Sequence, residues 1–262
     1  MLQNLNGMKM LNKLKSHLKI KNSKPNENIF FSDDVFIASF PKSGNTWTRF
    51  VLSHLFINCK HQLNFTNYDQ YVPEPGLHDN YILDLKRPRL LKTHTLHSNE
   101  KKKAIYLIRD PRDVLVSYYF YLKKKLPKEY SIKDFIRDDR YSPNSWKNHV
   151  KSWENLENIL IVRYEDLKKD PKKNFILIID FIKEFNLDLD LLDKAMKMSS
   201  FNELKQQEDL HGRNFKNKEA ENLSSTFMRK GESRDWVNHF DDEDLLYFET
   251  RIGKYMKKYN YI

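Results

Sequence analysis

Lys42, Ser43, Gly44, Asn45, Thr46 and Trp47 follow the apolar run Val35 to Phe40 and precede an amphipathic segment ending near Ile57. A lysine and a glycine between a strand and a helix suit an anion. The glycine lets the backbone bend close to the ligand, and the first free N–H groups of the helix point at it with the helix dipole behind them. Lys42 precedes Gly44, whereas the nucleotide loop Gly-x-x-x-x-Gly-Lys-Ser/Thr puts lysine after its last glycine and uses the next hydroxyl for magnesium. The stretch is therefore a phosphate cradle of another kind. Elsewhere, His94 follows Lys92-Thr93, and a histidine that titrates near neutrality can take a proton from an attacking hydroxyl. Arg109 ends an apolar run; its planar guanidinium suits a phosphate monoester, although a salt bridge to Asp113 would be a purely structural use. No metal is expected, because the nearby His97 lacks a thiolate or carboxylate cluster with zinc spacing.

The elements that must position these residues are legible as alternating patterns. Val35 to Phe40, Leu90-Leu91, Ala104 to Ile108 and Asn158 to Val162 read as buried strands. Val114 to Lys124, Ser145 to Leu156, Pro171 to Phe185 and Asp241 to Tyr259 read as helices. Strands alternating with helices predict a single α/β domain, residues 29–262, with a central, mostly parallel sheet flanked by helices. Ligands of such sheets bind at the carboxyl ends of the strands, so Lys42, Lys92, Arg109 and the residues after Val162 should meet there. Asp110 is a plausible N-cap with Pro111 at the first helical position and Asp113 completing a cap-like pair; Ser117 then falls about two turns along that helix. Ser200 with Glu203 reads as a capping box.

Taken in order, these segments resemble the PAPS-dependent cytosolic-type sulfotransferase family (PAPS, 3′-phosphoadenosine 5′-phosphosulfate; PAP, its desulfated product). Pro-Lys-Ser-Gly-x-Thr-Trp resembles the family's 5′-phosphosulfate loop. Leu-Leu-Lys-Thr-His, ending at His94, is similar to its catalytic-base motif. The stretch Tyr106 to Tyr119, containing Arg109 and Ser117, resembles its 3′-phosphate signature, and Phe227-Met228-Arg229-Lys230-Gly231 resembles its late Arg-Lys-Gly loop. The resemblance runs from about Asp33 to Phe240. It implies a P-loop-like strand-loop-helix, PAPS as donor and PAP as product. It further implies Lys42 at the bridging oxygen, His94 as general base and Lys92 assisting at the transferring group. Arg109, Ser117, Arg229, Lys230 and Gly231 would hold the 3′-phosphate. Trp47 and the Tyr164 of Tyr-Glu-Asp-Leu would meet the adenine, with Ser199 and Phe201 on the base and phosphate side. The chain departs from the pattern at Arg234, where the family has glycine, at Val237, where it has lysine, and at Asp241-Asp242, where its dimer motif has Thr-Val. Dimerisation is left open.

Composition fits this reading. Of 262 residues 39% are hydrophobic and 13% aromatic, enough for a core, and the formal charge of +10 favours polyanionic ligands. Two rivals remain beside the sulfotransferase. A P-loop nucleotide kinase would need the lysine after the glycine loop, and a basic nucleic-acid-binding protein would carry a recognised motif with its charge. No nucleic acid is expected as partner; the acceptor would be a small-molecule or glycan hydroxyl, or an amine. Phe65, Tyr68, Tyr71, Tyr81, Phe120 and Tyr121 are candidates for an apolar acceptor pocket. Residues 1–28 form a basic amphipathic arm, with Leu2, Leu5, Met8, Leu11, Leu14 and Leu18 at helical spacing. No apolar run approaches the roughly 20 residues of a membrane helix, so no stable membrane insertion is expected. Cys59 is the single cysteine and no secretory signal is recognised, which predicts a reducing, cytoplasmic location.

Overall fold

The computed structural model describes residues 29–183, 188–213 and 227–262; the amphipathic arm read in residues 1–28 lies outside the described residues. Strands β1 (Val35–Ser39), β2 (Leu90–Thr93), β3 (Lys103–Ile108) and β4 (Asn158–Arg163) form a four-stranded sheet in the order β2-β1-β3-β4. Every pairing is parallel. The chain leaves β1 on one side to build β2 and crosses to the other side to build β3. The carboxyl end of β1 is therefore the switch point at which sheets of this kind bind ligands.

Both faces of the sheet are covered, which explains why its central strands read as continuous apolar runs. Phe36, Ala38, Tyr106 and Ile108 point into a core shared with α2 (Pro111–Leu122), α4 (Pro143–Trp153) and α9 (Asp242–Lys258), where Trp146, Trp153 and Phe248 are fully buried. Val35, Ile37, Ile105 and Leu107 face the opposite side. They pack against α1 (Asn45–Phe56), α6 (Pro171–Ile182) and α7 (Leu189–Met198) through Val51, Leu52, Phe175, Ile178 and Leu192. Shorter helices α3 (Ile132–Arg137), α5 (Tyr164–Lys169) and α8 (Phe201–His211) complete the periphery.

The strands and helices lie where periodicity placed them, with shifted ends. Strand β2 continues past Leu91 because Ile37 and Ala38 pair with Lys92 and Thr93, so Lys92 lies within the strand and only His94 beyond it. Helix α2 starts at Pro111, capped by the Asp110 carboxylate, which accepts from the Arg112 N–H at 2.9 Å. Asp113 does not complete that cap; it accepts instead from the Arg234 and Trp236 N–H groups. Helix α6 stops at Ile182, three residues short of Phe185, where Lys183 turns left-handed. At α8 the cap is one-sided: Ser200 Oγ accepts from the Glu203 N–H at 3.4 Å.

Ahead of β1, Asp34 and Arg89 form an ion pair whose two side chains are wholly buried, and Arg89 also donates to the carbonyl oxygens of Ile82 and Ile29. Such a pair resists loss of one partner more than loss of both, because the survivor is a desolvated charge. Arg89→Ala should destabilise the domain by about 3–5 kcal/mol, a large share of the roughly 5–15 kcal/mol typical of a domain. Urea unfolding followed by circular dichroism measures it, and a loss below 1 kcal/mol would contradict the buried-pair account.

Candidate functional site

The loop between β1 and α1 adopts the conformation an anion cradle needs. Lys42 and Gly44 both have positive φ, 71° and 99°, and Gly44 caps α1 with its backbone alone. A Cβ at Gly44 would stand 2.7 Å from the Tyr164 ring, so glycine is required by conformation and by space. The Ser43 hydroxyl oxygen is buried and has no protein partner. Tyr164 opens α5 immediately after β4, and its ring receives the Arg109 guanidinium at 4.4 Å. Trp47 stands edge-on to Tyr164, with ring centroids 6.4 Å apart.

Arg109 emerges from β3 and ties two distant segments together. It donates to the Lys42 carbonyl at 3.2 Å and to the Glu232 carbonyl at 2.8 Å, while its Nε is buried without a partner. The late loop closes from the other side. Gly231 has φ +66° and a Cβ there would clash with the Phe201 ring at 2.4 Å. Lys168 donates to the Gly231 carbonyl, and Arg229 lies over Phe120, 4.6 Å from its centroid. Phe120 is three residues beyond Ser117 on α2, so half-buried Ser117 shares the helix face that meets this loop.

Lys42 sits at the junction of these parts. Its Nζ lies 3.5 Å from the centroid of Phe227 and 4.6 Å from that of Tyr121. Desolvation drives its pKa well below the ordinary lysine range, and the nearby charges of Arg213, Arg109 and Arg229 push the same way. Burial and neighbouring like charges both penalise the ammonium form, and an anion beside Lys42 would favour it.

On the neighbouring strand, His94 Nδ1 donates to the Ser39 carbonyl at 2.7 Å. A carbonyl can only accept, so the tautomer is fixed and Nε2 carries the free lone pair. Burial and the adjacent Lys92 charge lower the His94 pKa well below 6.5. Behind it, His149 donates from Nε2 to the His94 carbonyl and accepts at Nδ1 from Tyr106. Burial pushes His149 down to about 4.

The structure brings Lys42, Ser43, Gly44, Trp47, Arg109, Tyr164, Phe201, Arg229 and Gly231 into one cluster, with His94 beside it. Other expected residues are engaged elsewhere. The Asn45 amide turns inward to Ile37 O and Ser39 Oγ. Thr46 interacts with the Tyr68 hydroxyl. Lys92 Nζ is paired with Glu74 at 2.5 Å, whereas Lys230 shares the Asp235 carboxylate with Arg229 of the cluster. Ser199 is fully buried, its hydroxyl 3.1 Å from His54 Nδ1. Of the aromatic pocket candidates, Phe65 and Tyr68 belong to a small core around Phe50, with Tyr68 stacked on Phe50 at 4.2 Å, and Tyr81 donates to Asp69 O. Only Phe120 and Tyr121 face the cationic cluster. Sequence reasoning missed Arg213, Phe227 as a cradle for Lys42, and the carboxylates Glu74 and Asp235; Asp113, weighed as a partner of Arg109, lies 3.9 Å from it and also accepts two backbone N–H groups.

The family profile of the sulfotransferase domain matches residues 32–260. Sulfotransferase 1E1 from Rattus norvegicus is 30% identical over 248 residues, covering 86% of this chain and 84% of the relative. Sulfotransferase 2A6 from the same species is 34% identical over 235 residues, covering 82% and 81%. The chain belongs to the sulfotransferase family. It is an enzyme of that class. Solved structures share the fold: retinol dehydratase in complex with androsterone and inactive cofactor PAP superposes with a TM-score of 0.69 at 22% identity, covering 91% of this chain and 85% of that one. A mouse sulfotransferase complexed with PAP gives 0.63 at 24% identity, covering 88% and 86%.

The departures from the sulfotransferase pattern are structurally accommodated. Arg234 keeps the left-handed backbone of a glycine position, φ 67°, and its N–H is held by Asp113 at 2.7 Å. Asp241 caps α9 in a reciprocal box with Asp244. Nothing in the structure explains Val237, which is half exposed. Among the described residues no group of metal ligands is found, and no helix is long and apolar enough to cross a membrane.

Gly44→Ala should destabilise the protein and weaken anion binding, since the new Cβ meets Tyr164 and a positive φ disfavours alanine by roughly 1–2 kcal/mol. Gly44→Ala combined with Tyr164→Ala should recover the steric share of the loss but not the backbone share. Thermal unfolding of the three variants checks the partition.

Proposed function

We propose that the protein moves the sulfuryl group of PAPS to an acceptor hydroxyl or amine and releases PAP. What carries the reading is the convergence of Lys42, Arg109 and Arg229 beside the free Nε2 of His94. The residues fit the donor. Ser43 Oγ and Arg109 Nε are buried polar atoms in want of partners, and Gly44 gives the loop its left-handed turn close against the Tyr164 ring. The donor supplies an activated sulfuryl group bonded to a phosphate. Lys42 and the N–H groups that open α1 neutralise charge on the leaving phosphate; Arg109, Ser117 and Arg229 hold the 3′-phosphate; Tyr164 and Trp47 present aromatic faces to the base.

His94 takes the acceptor proton at Nε2. The Ser39 carbonyl fixes the ring and favours the tautomer with its proton on Nδ1. Lys92 sits two residues before His94 with Glu74 as its counter-ion; burial first and then the Lys92 charge keep the imidazole unprotonated and so available to accept a proton. Acceptors are small-molecule or glycan hydroxyls, entering where Tyr121 and Phe227 flank Lys42.

Calorimetry should show PAP binding at least a hundredfold tighter than AMP, which lacks the 3′-phosphate, because each lost charge-assisted contact costs roughly 1.5–3 kcal/mol. Equal affinities would remove the 3′-phosphate clamp. His94→Ala should lose about 10²–10⁴ in turnover while keeping PAP affinity. In the wild type the pH profile of kcat should stay flat from neutrality down through 6.5. The base form persists because its folded pKa is depressed, and activity falls only once the pH drops through that lowered value. An acid limb at or above 6.5 would show that another group governs the proton.

A further inference from the structure

Arg229 and Lys230 are long loop cations, and one carboxylate pairs with both. Asp235 takes Arg229 on Oδ2 and Lys230 on Oδ1 at 2.6 Å, with Asn238 Nδ2 at 3.3 Å from Oδ1 and His239 Nε2 at 3.3 Å from Oδ2. The Asp235 side chain is only 3% exposed, whereas those of Arg229 and Lys230 are 27% and 42% exposed. The carboxylate thus lies behind the two cations. Each cation spends part of its donor set on Asp235 and keeps the rest for what lies in front, five N–H groups being available on a guanidinium and three on an ammonium.

Asp235 is itself held. It opens the 3₁₀ turn Asp235–Asn238, and the residues on either side of it, Arg234 and Trp236, donate their N–H groups to the two oxygens of Asp113 at 2.7 and 3.1 Å. Asp113 belongs to α2, the helix that carries Ser117. Three residues before Asp235, the Glu232 carbonyl accepts from Arg109. One short segment, 232–236, therefore connects Arg109, the Ser117 helix and the Arg229 loop.

Resting on the PAPS reading above, we propose that Asp235 is the positioning residue of the 3′-phosphate clamp. It presets Arg229 and Lys230 toward the phosphate, with Asp113 fixing Asp235 relative to Arg109 and Ser117. Asp235 touches no reacting atom. It acts by lowering the cost of ordering two long side chains before the ligand arrives, so its effect is confined to ligands that carry a 3′-phosphate.

The test is calorimetry of PAP and of AMP on the full chain, wild type, Asp235→Asn and Asp235→Glu. Asp235→Asn removes the charge and Asp235→Glu keeps the charge but displaces it, so the second variant still reports if the first folds poorly. Each should bind PAP roughly 10- to 100-fold more weakly and AMP within twofold of wild type. In an Arg229→Ala, Lys230→Ala background, Asp235→Asn should change PAP affinity no further. Unchanged PAP affinity would overturn the proposal. Tighter PAP binding would also overturn it, by making Asp235 a competitor of the phosphate, and equal weakening of PAP and AMP would reduce it to a general structural role. A wild-type protein that fails to distinguish PAP from AMP would instead remove the 3′-phosphate clamp itself, and this proposal with it.

Discussion

Repulsion among cations at the carboxyl ends of β1 and β3 is the constraint around which the rest of the site is built. Two unit charges 4 Å apart interact with about 4 kcal/mol at an effective dielectric near 20, and more where water is excluded. Lys42 shows the consequence, its proton affinity lowered by desolvation and by three arginines. Aromatic faces lie against each of these cations: Phe227 and Tyr121 at Lys42, Tyr164 at Arg109, which also stands 3.9 Å from Asp113, and Phe120 at Arg229, which Asp235 pairs from behind. Ring quadrupoles ease a cation's loss of water without cancelling its charge. The attraction for a polyanion is therefore preserved, which a bed of carboxylates would have abolished.

Carboxylates do appear, one step back. Glu74 holds Lys92, Asp235 holds the late-loop cations, and Asp113 holds the backbone around Asp235. Glu208 accepts the N–H groups of Phe227 and Met228 and so places the ring on which Lys42 rests. None of these occupies the space between Lys42 and Arg109. Positive charge faces the ligand and negative charge fixes its bearers, a division that makes the site rigid before anything binds.

The sheet, its layers and the cluster at the strand ends were legible because they rest on local signals: apolar runs, a glycine before a helix, an arginine and a histidine at the ends of apolar runs. Family resemblance then supplied roles that periodicity does not contain. What stayed hidden was long-range pairing. That Asp113 serves Arg234 and Trp236 rather than its own helix depends on contacts more than 120 positions apart, and the cap-like spacing beside Pro111 suggested the local use. Ser199, which resemblance alone placed on the base and phosphate side, bonds to His54 on a helix 145 positions earlier, a contact that no local signal contains. Aromatics were ambiguous by composition alone, since residue type does not tell Phe65, which fills a small core from a turn, from Phe120, which supports Arg229 from α2.

Departures from a motif acquire meaning once their backbone is known. A glycine position occupied by Arg234 would suggest a rebuilt loop, but the left-handed conformation is retained and the strain, of order 1–2 kcal/mol, is offset where the Arg234 N–H meets the buried Asp113 carboxylate. The same hydrogen bond helps place Asp235. The substitution is therefore absorbed by an interaction that also anchors the segment bearing Asp235, and the loop loses its glycine while keeping its left-handed backbone. At Asp241 the replaced dimer residue has become a helix cap, paired with Asp244 and with Lys133 of a neighbouring helix. Its carboxylate is half exposed and works at the surface of this chain. Arg137, on the same neighbouring helix as Lys133, pairs with Asp244, so the altered motif ties α9 to α3 where the family pattern places its dimer motif.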